Sequence, residues 1–456
     1  MTGADILALD VGTSGLKAGV YGPDLAKRAS AGRDYDINLY DRGKADIWPE
    51  TWWSAIRDAC AELRAHLHDV AVVSLSVTTP GLTPMAADGS ALGPAILFLD
   101  GRSHEQAAAI RKAVGEDRFL IQACNLPVSG GSSLASILWI RDHEPAVWAA
   151  AAMFGHTNTY LVRRMTGEWA VDPSTMSITG LYATARHDLS WNDDVLEAAG
   201  LAPERLPRLM PSYEAVGRIL PEVAGELGLP RHAVVLCGGN DAALAAWSGG
   251  LSSPGDANII SGTCDIANVC TDRPVASRDF NVRAHVLPGR WLTFFVLNTG
   301  GLALEWFRET FCRELGADDF YGRYLPDTLE SFLDDPALEV RERELPGYAP
   351  YLGGSRYALE PLAAAFQGVT LQTTREDLLL AMLRGNLRYL GAHLEQVAGL
   401  VPVNRRVGIS GGAVRIRGML RARARWTGPF DYVFQDQSSL LGAAMLGRVW
   451  QAGGVT

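Results

Sequence analysis

The fold of the chain is decided early, by the stretch ILALDVGTSGLKAGVY at residues 6–21. Its apolar start predicts a buried strand, its centre at residues 10–15 is a polar turn rich in glycine, and its end resumes a β pattern. A strand that ends in an acid and then turns through glycines presents backbone N–H groups that can surround a phosphate. Taken alone, the stretch also fits an ordinary β-hairpin with an Asx-type turn.

Five residues around this turn are candidates for binding a nucleotide or a metal. The backbone of Gly12 and the hydroxyl groups of Thr13 and Ser14 offer hydrogen-bond donors to phosphate oxygens. Lys17 can approach a phosphate as a point charge. Asp10 can hold a hydrated Mg²⁺ ion, because carboxylate oxygen is a ligand that this cation prefers.

The same elements recur in the second half of the chain. Residues 257–261 are predicted as a short apolar strand, which the polar turn Gly262-Thr263 follows. Further strands are predicted at residues 266–270 and 291–297. The repeated order of strand, polar turn and strand suggests a duplicated α/β domain.

The likeness between the two halves agrees with the length of the chain. A sequence of 456 residues is too long for one ordinary core, so two domains are expected. The segment at residues 249–255 is rich in small and chain-breaking residues, which favours a boundary there. We therefore predict an N-terminal domain at residues 1–250 and a C-terminal domain at residues 251–456.

A third motif, Gly239-Asn240-Asp241, follows the apolar run at residues 233–236. A carboxylate at the end of a strand is well placed to take a proton from a hydroxyl group, and phosphoryl transfer to a hydroxyl needs such a base. Asp241 is therefore the candidate catalytic base. The alternative is that Asp241 only caps the helix that follows it.

A fourth motif, Gly411-Gly412-Ala413, follows the predicted strand at residues 407–410. Glycines between a strand and a helix let a flat ligand such as a purine ring approach the backbone. The chain contains neither the GxxxxGK[ST] sequence of a P-loop nor the GxGxxG sequence of a dinucleotide-binding turn.

Helical patterns mark three other regions. Residues 375–398 predict one long helix, and residues 135–161 are predicted as mostly helical. The arginine-rich run at residues 415–425 predicts an exposed helix.

The charge of the chain restricts its partners. Its 41 basic and 51 acidic residues give a net charge of −10, which argues against binding to nucleic acid or to an anionic membrane. No apolar run is long enough for a membrane span, and the N-terminus does not resemble a signal peptide. The six cysteines include no CxxC pair, so reduced thiols of a cytoplasmic protein are expected.

Taken in order, the motifs resemble those of the FGGY family of carbohydrate kinases, which includes xylulokinase, gluconokinase and glycerol kinase. The resemblance covers nearly the whole chain and is carried by short matches to the family's phosphate, substrate, base and adenosine motifs and to two further stretches that the family shares, D-x-S and P-Y-L-x-G-E-R. These matches are DVGTSG at 10–15, DGR at 100–102, DPS at 172–174, GND at 239–241, SGT at 261–263, PYLGGSR at 350–356 and GGA at 411–413.

The resemblance implies a fold of two ribonuclease-H-like domains of the actin and hexokinase superfamily, with a cleft between them. It places the sugar mainly on domain 1–250 and ATP mainly on domain 251–456. It further implies that Asp241 is the base and that Asp10 holds Mg²⁺ through water. The implied ATP-binding residues are Gly12, Thr13, Ser14, Lys17, Gly262, Thr263, Gly411, Gly412 and Ala413.

The segments implied to bind the sugar agree with the family pattern at one motif and differ from it at another. The resemblance implies substrate contacts from Asp100, Arg102 and Thr79, together with Asp241. Xylulokinase-like members carry Gln-Met-His-Gly where this chain has TTPG at 78–81, so the sugar stays open. A ketopentose such as xylulose is the leading expectation, and a polyol kinase or a non-catalytic regulator binding sugar or nucleotide is the alternative. Dimers are common in the family, so a homodimer is one expected form.

Overall fold

A computed structural model describes residues 3–40, 43–355, 357 and 362–454 of the chain. Arg356, the last residue of the PYLGGSR match, lies outside these described residues. The strands are Asp5–Val11 (β1), Gly15–Tyr21 (β2), Lys27–Asp34 (β3), Asn38–Tyr40 (β4), Lys44–Ile47 (β5), Val70–Val77 (β6), Gly81–Met85 (β7), Ala95–Leu97 (β8), Met153–Gly155 (β9), Ala170–Val171 (β10), Arg208–Leu209 (β11), Ala215–Arg218 (β12), Val234–Leu236 (β13), Gly239–Asn240 (β14), Ala257–Ser261 (β15), Asp265–Thr271 (β16), Asn281–Ala284 (β17), Trp291–Leu297 (β18), Gly347–Ala349 (β19), Ala365–Gln367 (β20), Arg406–Ser410 (β21) and Asp431–Phe434 (β22).

Helices are interspersed among these strands, as expected of a mixed α/β protein. They are Pro49–Glu62 (α1), His104–Val114 (α2), Glu116–Ala123 (α3), Ser133–His143 (α4), Pro145–Ala150 (α5), Thr157–Thr166 (α6), Pro173–Met176 (α7), Asp193–Ala199 (α8), Pro221–Leu227 (α9), Asp241–Ser248 (α10), Gly301–Phe311 (α11), Ala317–Asp319 (α12), Leu325–Leu333 (α13), Leu338–Glu344 (α14), Arg375–Ala398 (α15), Met419–Trp426 (α16) and Ser439–Gln451 (α17).

The main sheet of the first half has the order β12-β13-β6-β1-β2-β3, with β14 also paired to β6. β1, β2 and β3 form an antiparallel meander, and β6 and β13 extend it as parallel strands. β1 and β6 are buried along their whole length, because central strands of such a sheet are covered on both faces. This arrangement confirms the predicted ribonuclease-H-like fold.

The sheet of the second half repeats this pattern. Five of its six strands lie in the order β18-β16-β15-β21-β22. β15 and β16 are antiparallel, whereas β21 and β22 continue the sheet as parallel strands. The duplication expected from the two strand-turn-strand patterns is therefore present in the topology.

The chain forms two compact units whose limits differ from the predicted division. The first unit contains the residues up to 248, and it also contains the later segments 272–292 and 437 onward. The second unit contains residues 249–271 and 293–436. The predicted C-terminal domain of residues 251–456 therefore differs from the second unit, because two segments of that range belong to the first unit.

The packing of α17 explains why the segment from residue 437 onward belongs to the first unit. A Cβ atom on Gly442 would lie 2.4 Å from the carbonyl oxygen of Leu244 in α10, and one on Gly447 would lie 2.7 Å from Ile6 in β1. Glycine at both positions lets the helix approach the first sheet closely. Such small-residue contacts leave no signal that a local sequence pattern would reveal.

Residues 135–161 are less continuous than predicted. The helices α4, α5 and α6 lie in this region, but β9 separates α5 from α6 and pairs with β7. The expected long helix at 375–398 is confirmed as α15, which begins with a capping box at Thr374 and Asp377. The six cysteines form no disulfide with one another, and Cys264 is the one that is only partly buried.

None of the helices in the described part of the chain has the length and hydrophobicity needed to cross a lipid bilayer.

Candidate active site

Asp10 lies at the end of β1 and is 7% exposed. The Ser76 hydroxyl donates to its Oδ1 at 2.6 Å, and the Ser439 hydroxyl donates to its Oδ2 at 2.7 Å. Ser76 lies directly opposite Asp10 in the parallel pairing of β1 with β6, which explains the first contact. Each carboxylate oxygen has two lone-pair directions, so both oxygens keep capacity for a hydrated cation.

The turn after β1 is tightly closed by its own backbone. The N–H of Gly12 donates to the carbonyl of Gly15 at 2.9 Å, and Tyr35 donates its hydroxyl to the Gly12 carbonyl at 2.8 Å. The Gly12 N–H is therefore engaged within the hairpin. The hydroxyls of Thr13 and Thr78 lie 3.2 Å apart, and Ser14 is exposed. The donors that this turn can offer to a ligand thus come mainly from Thr13 and Ser14.

Lys17 follows the turn on β2, where it lies directly across from Asp10 in the antiparallel register. Its side chain is exposed, and no described residue accepts a hydrogen bond from it or pairs with its charge. Residues opposite each other in a β ladder project to the same face. Lys17 thus adds a cation on the face of the sheet that carries Asp10.

Asp241 is the first residue of α10 and is partly exposed. Asn240 donates through Nδ2 to its Oδ1 at 2.9 Å, and the backbone N–H of Ala242 donates to the same oxygen at 2.7 Å. No hydrogen bond from the described residues reaches Oδ2. One carboxylate oxygen is thus held in place while the other can accept a proton from a bound molecule.

The electrostatic surroundings raise the pKa of Asp241 from 3.8 to about 6. Desolvation by the surrounding protein is the largest cause, and the negative charge of Asp10 adds to it. Arg283 acts in the opposite direction and lowers this pKa. A base whose pKa lies close to neutral pH is ionised there and still binds a proton with useful strength.

Thr79 joins the surroundings of this carboxylate. Its hydroxyl oxygen accepts a hydrogen bond from Asn240 Nδ2 at 2.6 Å and a longer one from Arg283 Nη1 at 3.4 Å. Because both neighbours are donors, the hydroxyl proton of Thr79 stays available to another acceptor. The structure thus brings the predicted residues Thr79 and Asp241 together through Asn240.

Arg283 and Ser439 contact residues of this cluster and were missed by the sequence interpretation. Arg283 is 8% exposed on β17, a strand that lay in the range assigned to the other domain. Ser439 belongs to the last helix, far along the chain from Asp10. Neither position has a local motif, so only the tertiary structure identifies them.

Asp100 and Arg102 form a separate buried ion pair. The carboxylate of Asp100 is fully buried and accepts the N–H of Ala45 at 2.7 Å and Arg102 Nε at 2.9 Å. Arg102 also donates to Asp46 at 2.9 Å, and its guanidinium lies 5.1 Å from the ring centre of Trp139. No hydrogen bond within the described chain links this pair to Thr79 or Asp241. Both Asp100 oxygens are engaged by protein donors, so a sugar contact would come from Arg102.

The turn between β15 and β16 carries the second glycine-threonine pair. The N–H of Gly262 donates to the Cys264 carbonyl at 3.0 Å, which closes the turn. The Gly262 carbonyl accepts the N–H of Gly301 at 2.8 Å, and the Thr263 carbonyl accepts that of Gly300 at 3.0 Å. The turn is thereby fixed to the start of α11.

Gly411 follows β21 and crosses the end of β15. Its φ is +102°, and a Cβ atom there would lie 1.9 Å from the carbonyl oxygen of Ser261. Only glycine fits this position. Gly412 differs, because no atom lies within 4 Å of where its Cβ would be. Ala413 then begins a short 3₁₀ turn. The backbone at Gly412 is therefore open to a flat ligand.

Replacing Gly411 with alanine is expected to destabilise the second unit by about 2–4 kcal/mol, since it adds a disfavoured φ to a steric overlap with Ser261. Thermal unfolding measures this effect. Gly412→Ala is the matched control, and its unfolding midpoint should stay within about 1 °C of the original. Equal midpoints for the two variants would contradict the close packing of Gly411 against the Ser261 carbonyl.

The arginine-rich run differs from its prediction as an exposed helix. Arg423 on α16 is 1% exposed, and its guanidinium contacts the Ser261 hydroxyl and lies 3.5 Å from Asp265. Burial raises the pKa of Asp265, and the positive charge of Arg423 opposes that rise. The exposed-helix prediction is wrong for Arg423 because this side chain fills the space beneath the β15–β16 hairpin.

The chain also matches known proteins. Residues 6–248 match the family model of the "FGGY family of carbohydrate kinases, N-terminal domain". This match spans more than half of the chain, which therefore belongs to the FGGY family of carbohydrate kinases. It is a sugar kinase, a phosphotransferase that uses ATP as donor and a small sugar as acceptor.

Several relatives align over nearly the whole chain. A xylulose kinase of Bacillus subtilis is 26% identical over 97% of this chain and 87% of its own length. A gluconokinase of the same species is 23% identical over 83% of this chain and 74% of its own length. The structure of a xylulose kinase from Rhodospirillum rubrum superposes with a TM-score of 0.88, at 23% identity, over 99% of this chain and 90% of that one.

Proposed function

We propose that this kinase transfers the γ-phosphoryl group of ATP to a hydroxyl group of a ketopentose such as xylulose, with Asp241 as the general base. The observation that carries the proposal is the state of Asp241. One of its oxygens is fixed by Asn240 and Ala242, the other is open, and its pKa is about 6. The near full-length relatives named as xylulose kinases support the choice of sugar.

The reaction follows from this arrangement. The open Oδ2 of Asp241 takes the proton of the sugar hydroxyl while the hydroxyl oxygen attacks the γ-phosphorus. The new O–P bond forms as the bond between the γ-phosphorus and the bridging oxygen breaks, and ADP leaves with that electron pair. The Thr79 hydroxyl can donate to a sugar oxygen, which orients the substrate beside the base.

Asp10 fits a role in holding Mg²⁺. Its buried carboxylate is fixed by two serine hydroxyls and offers hard oxygen ligands. The described residues contain no cluster of three His, Cys, Asp or Glu side chains suited to a metal. This agrees with Mg²⁺, which commonly keeps several waters and binds one or two carboxylates together with substrate phosphates. When bound, the ion neutralises charge on the transferring phosphates.

Each unit has a glycine-threonine turn with polar groups suited to phosphate. In the first unit we assign Thr13, Ser14 and Lys17 to phosphate binding. In the second unit we assign the turn at Gly262-Thr263 to phosphate binding. The open backbone at Gly412 is assigned to the adenine ring. These assignments rest on the exposure of the donors and on the free space beside Gly412.

The pH dependence of kcat/KM should reflect Asp241. The group acts as a base, so activity requires its ionised form and falls as the pH drops through about 6. Between pH 7 and 8 kcat/KM is expected to change by less than twofold. Initial rates from pH 5 to 8, after a stability check at each pH, measure the profile. A profile without an acid limb above pH 5 would contradict the assignment.

The experiment that tests the substrate is an ADP-release assay with Mg·ATP and a panel of pentuloses, pentitols, tetritols, gluconate and glycerol. A ketopentose is expected to give the highest kcat/KM, well above the rate without sugar. A polyol as the best substrate would replace the ketopentose by the polyol alternative. A flat panel with ATP binding intact would overturn the proposed sugar class in favour of a regulator.

One observation favours a sugar acid such as gluconate as a second candidate. Arg283 is a buried cation that contacts Thr79 and influences Asp241, and a guanidinium readily pairs with a carboxylate. Gluconokinases are also among the relatives. Gluconate as the best substrate of the panel would establish this candidate over the ketopentose.

A further inference from the structure

Asp172 is a buried carboxylate of the first unit that the phosphoryl-transfer scheme does not use. It caps α7 and has no solvent exposure. Burial raises the pKa of this carboxyl group, and the hydrogen bonds that it accepts oppose the rise. Ser174 donates to Oδ2 through both its N–H and its hydroxyl, and the Ser212 hydroxyl donates to the same oxygen at 2.9 Å. Asn158 donates to Oδ1 at 3.2 Å.

This carboxylate fixes the direction of the Ser174 hydroxyl. The Ser174 hydroxyl donates to Oδ2 of Asp172, so the hydroxyl proton points toward that carboxylate. The lone pairs of the Ser174 oxygen then face the other way. They accept the backbone N–H of Asn240, which lies 2.9 Å away. The buried carboxylate of Asp172 thus holds the Asn240 peptide through one oriented hydroxyl.

Asn240 carries this constraint to the candidate base. Its Oδ1 accepts the N–H of Ala243 at 3.0 Å, which fixes the side-chain amide at the start of α10. Its Nδ2 then donates to Asp241 at 2.9 Å and to Thr79 at 2.6 Å. With the backbone held on one side and the amide on the other, Asn240 has little freedom to move.

We propose that Asp172 and Ser174 are positioning residues for phosphoryl transfer, because they hold the Asn240 peptide that places the carboxylate of Asp241 and the hydroxyl of Thr79. This inference rests on the proposed function, in which Asp241 is the base. A displacement of about 1 Å in a reacting group can lower a rate by roughly a hundredfold. A hydrogen bond behind the base can therefore affect the rate without touching the sugar.

A purely structural role is the competing explanation, since Asp172 also caps α7. Ser174 and Ser212 separate the two explanations. Both hydroxyls are buried, and both donate to the same oxygen of Asp172, but only the Ser174 hydroxyl contacts the Asn240 peptide. Replacing either serine with alanine removes one donor from Asp172. Only the Ser174 change also frees Asn240.

The test compares kcat, KM and pH profiles of Ser174→Ala and Ser212→Ala. Ser174→Ala is expected to lower kcat about 10- to 100-fold, with both KM values within threefold. The variant removes the acceptor of the Asn240 N–H, so the Asn240 amide is held less firmly against Asp241. A weaker hydrogen bond to the ionised carboxylate raises the pKa of Asp241, so the acid limb should move to higher pH. Ser212→Ala is expected to keep kcat within threefold and the acid limb in place, with a comparable loss of thermal stability.

Equal kcat and equal acid limbs for the two variants would overturn the positioning role. Failure of the proposed base is recognised separately, because Asp241→Asn would then retain activity whatever the serine variants do. If Ser174→Ala is not recovered folded, Asp172→Ala carries the same test on protein whose fold circular dichroism verifies, because alanine leaves the Ser174 hydroxyl without its acceptor. A wild-type kcat and acid limb in Asp172→Ala would refute the inference, and the shifted limb with lowered kcat would support it.

Discussion

Replacing Asp241 with asparagine is expected to lower kcat by about a thousandfold, the middle of the range for loss of a general base. The amide can still accept the hydrogen bonds of Asn240 and Ala242, so the local structure should persist. It cannot take a proton from the sugar. Single-turnover and steady-state ADP release measure the loss, and ATP affinity by calorimetry should stay within threefold.

The same substitution should stabilise the protein above pH 6. The pKa of Asp241 is raised on folding, so the protonated form favours the folded state and this contribution is lost as the pH rises through about 6. At pH 8 removal of the charge should add about 1–2 kcal/mol after allowance for partial solvent exposure. At pH 4 the gain should be small. Thermal unfolding at the two pH values measures the difference.

Asp318→Asn serves as the control, because Asp318 is an exposed acid of the second unit. It should change neither kcat nor the pH dependence of the unfolding midpoint. An Asp241→Asn enzyme with more than a tenth of the original kcat would show that another group accepts the proton.

Replacing Arg423 with methionine is expected to cost about 3–5 kcal/mol of unfolding free energy, the range for breaking a buried ion pair. Methionine fills part of the space but leaves the carboxylate of Asp265, which is 5% exposed, without its cation. The Ser261 hydroxyl loses the guanidinium as well. Denaturant unfolding followed by fluorescence or circular dichroism gives the change.

Two further variants make this result specific. Arg421→Met removes an exposed arginine of the same helix that pairs with Asp334, and it should cost less than about 1 kcal/mol. The double variant Arg423→Met with Asp265→Asn should recover part of the loss, because no buried charge is then left unpaired. If Arg423→Met and Arg421→Met lower the free energy of unfolding equally, the buried pair of Arg423 and Asp265 adds no stability beyond that of an exposed pair.

Much of the fold could be predicted from local sequence. The strand-turn-strand stretch at residues 6–21 combines an apolar run with glycines, and both signals act over a few neighbours. The helix at residues 375–398 could also be predicted locally, because its apolar residues recur at helical spacing. The candidate residues Asp10 and Asp241 also follow from local patterns, since each comes directly after an apolar strand.

The remainder of the site depends on contacts between distant parts of the chain. Arg283 and Ser439 reach the first unit from segments that sequence alone assigned to the second domain. The burial of Arg423 could not be predicted, because an arginine-rich helix usually faces water. Likewise, no pattern indicates that the carboxylate of Asp100 is already engaged by Ala45 and Arg102.

The contact between Ser439 and Asp10 has a consequence for how the protein is made. The two residues are 429 positions apart, so the carboxylate synthesised among the first residues receives its second hydroxyl only when α17 leaves the ribosome. During translation the first unit stays without the helix that packs on β1 and α10. A chain interrupted before α17 would retain every glycine motif, Asp10 and Asp241, and would still lack a finished Asp10 site. On the role proposed for Asp10, full phosphoryl-transfer activity requires a chain that is translated through α17.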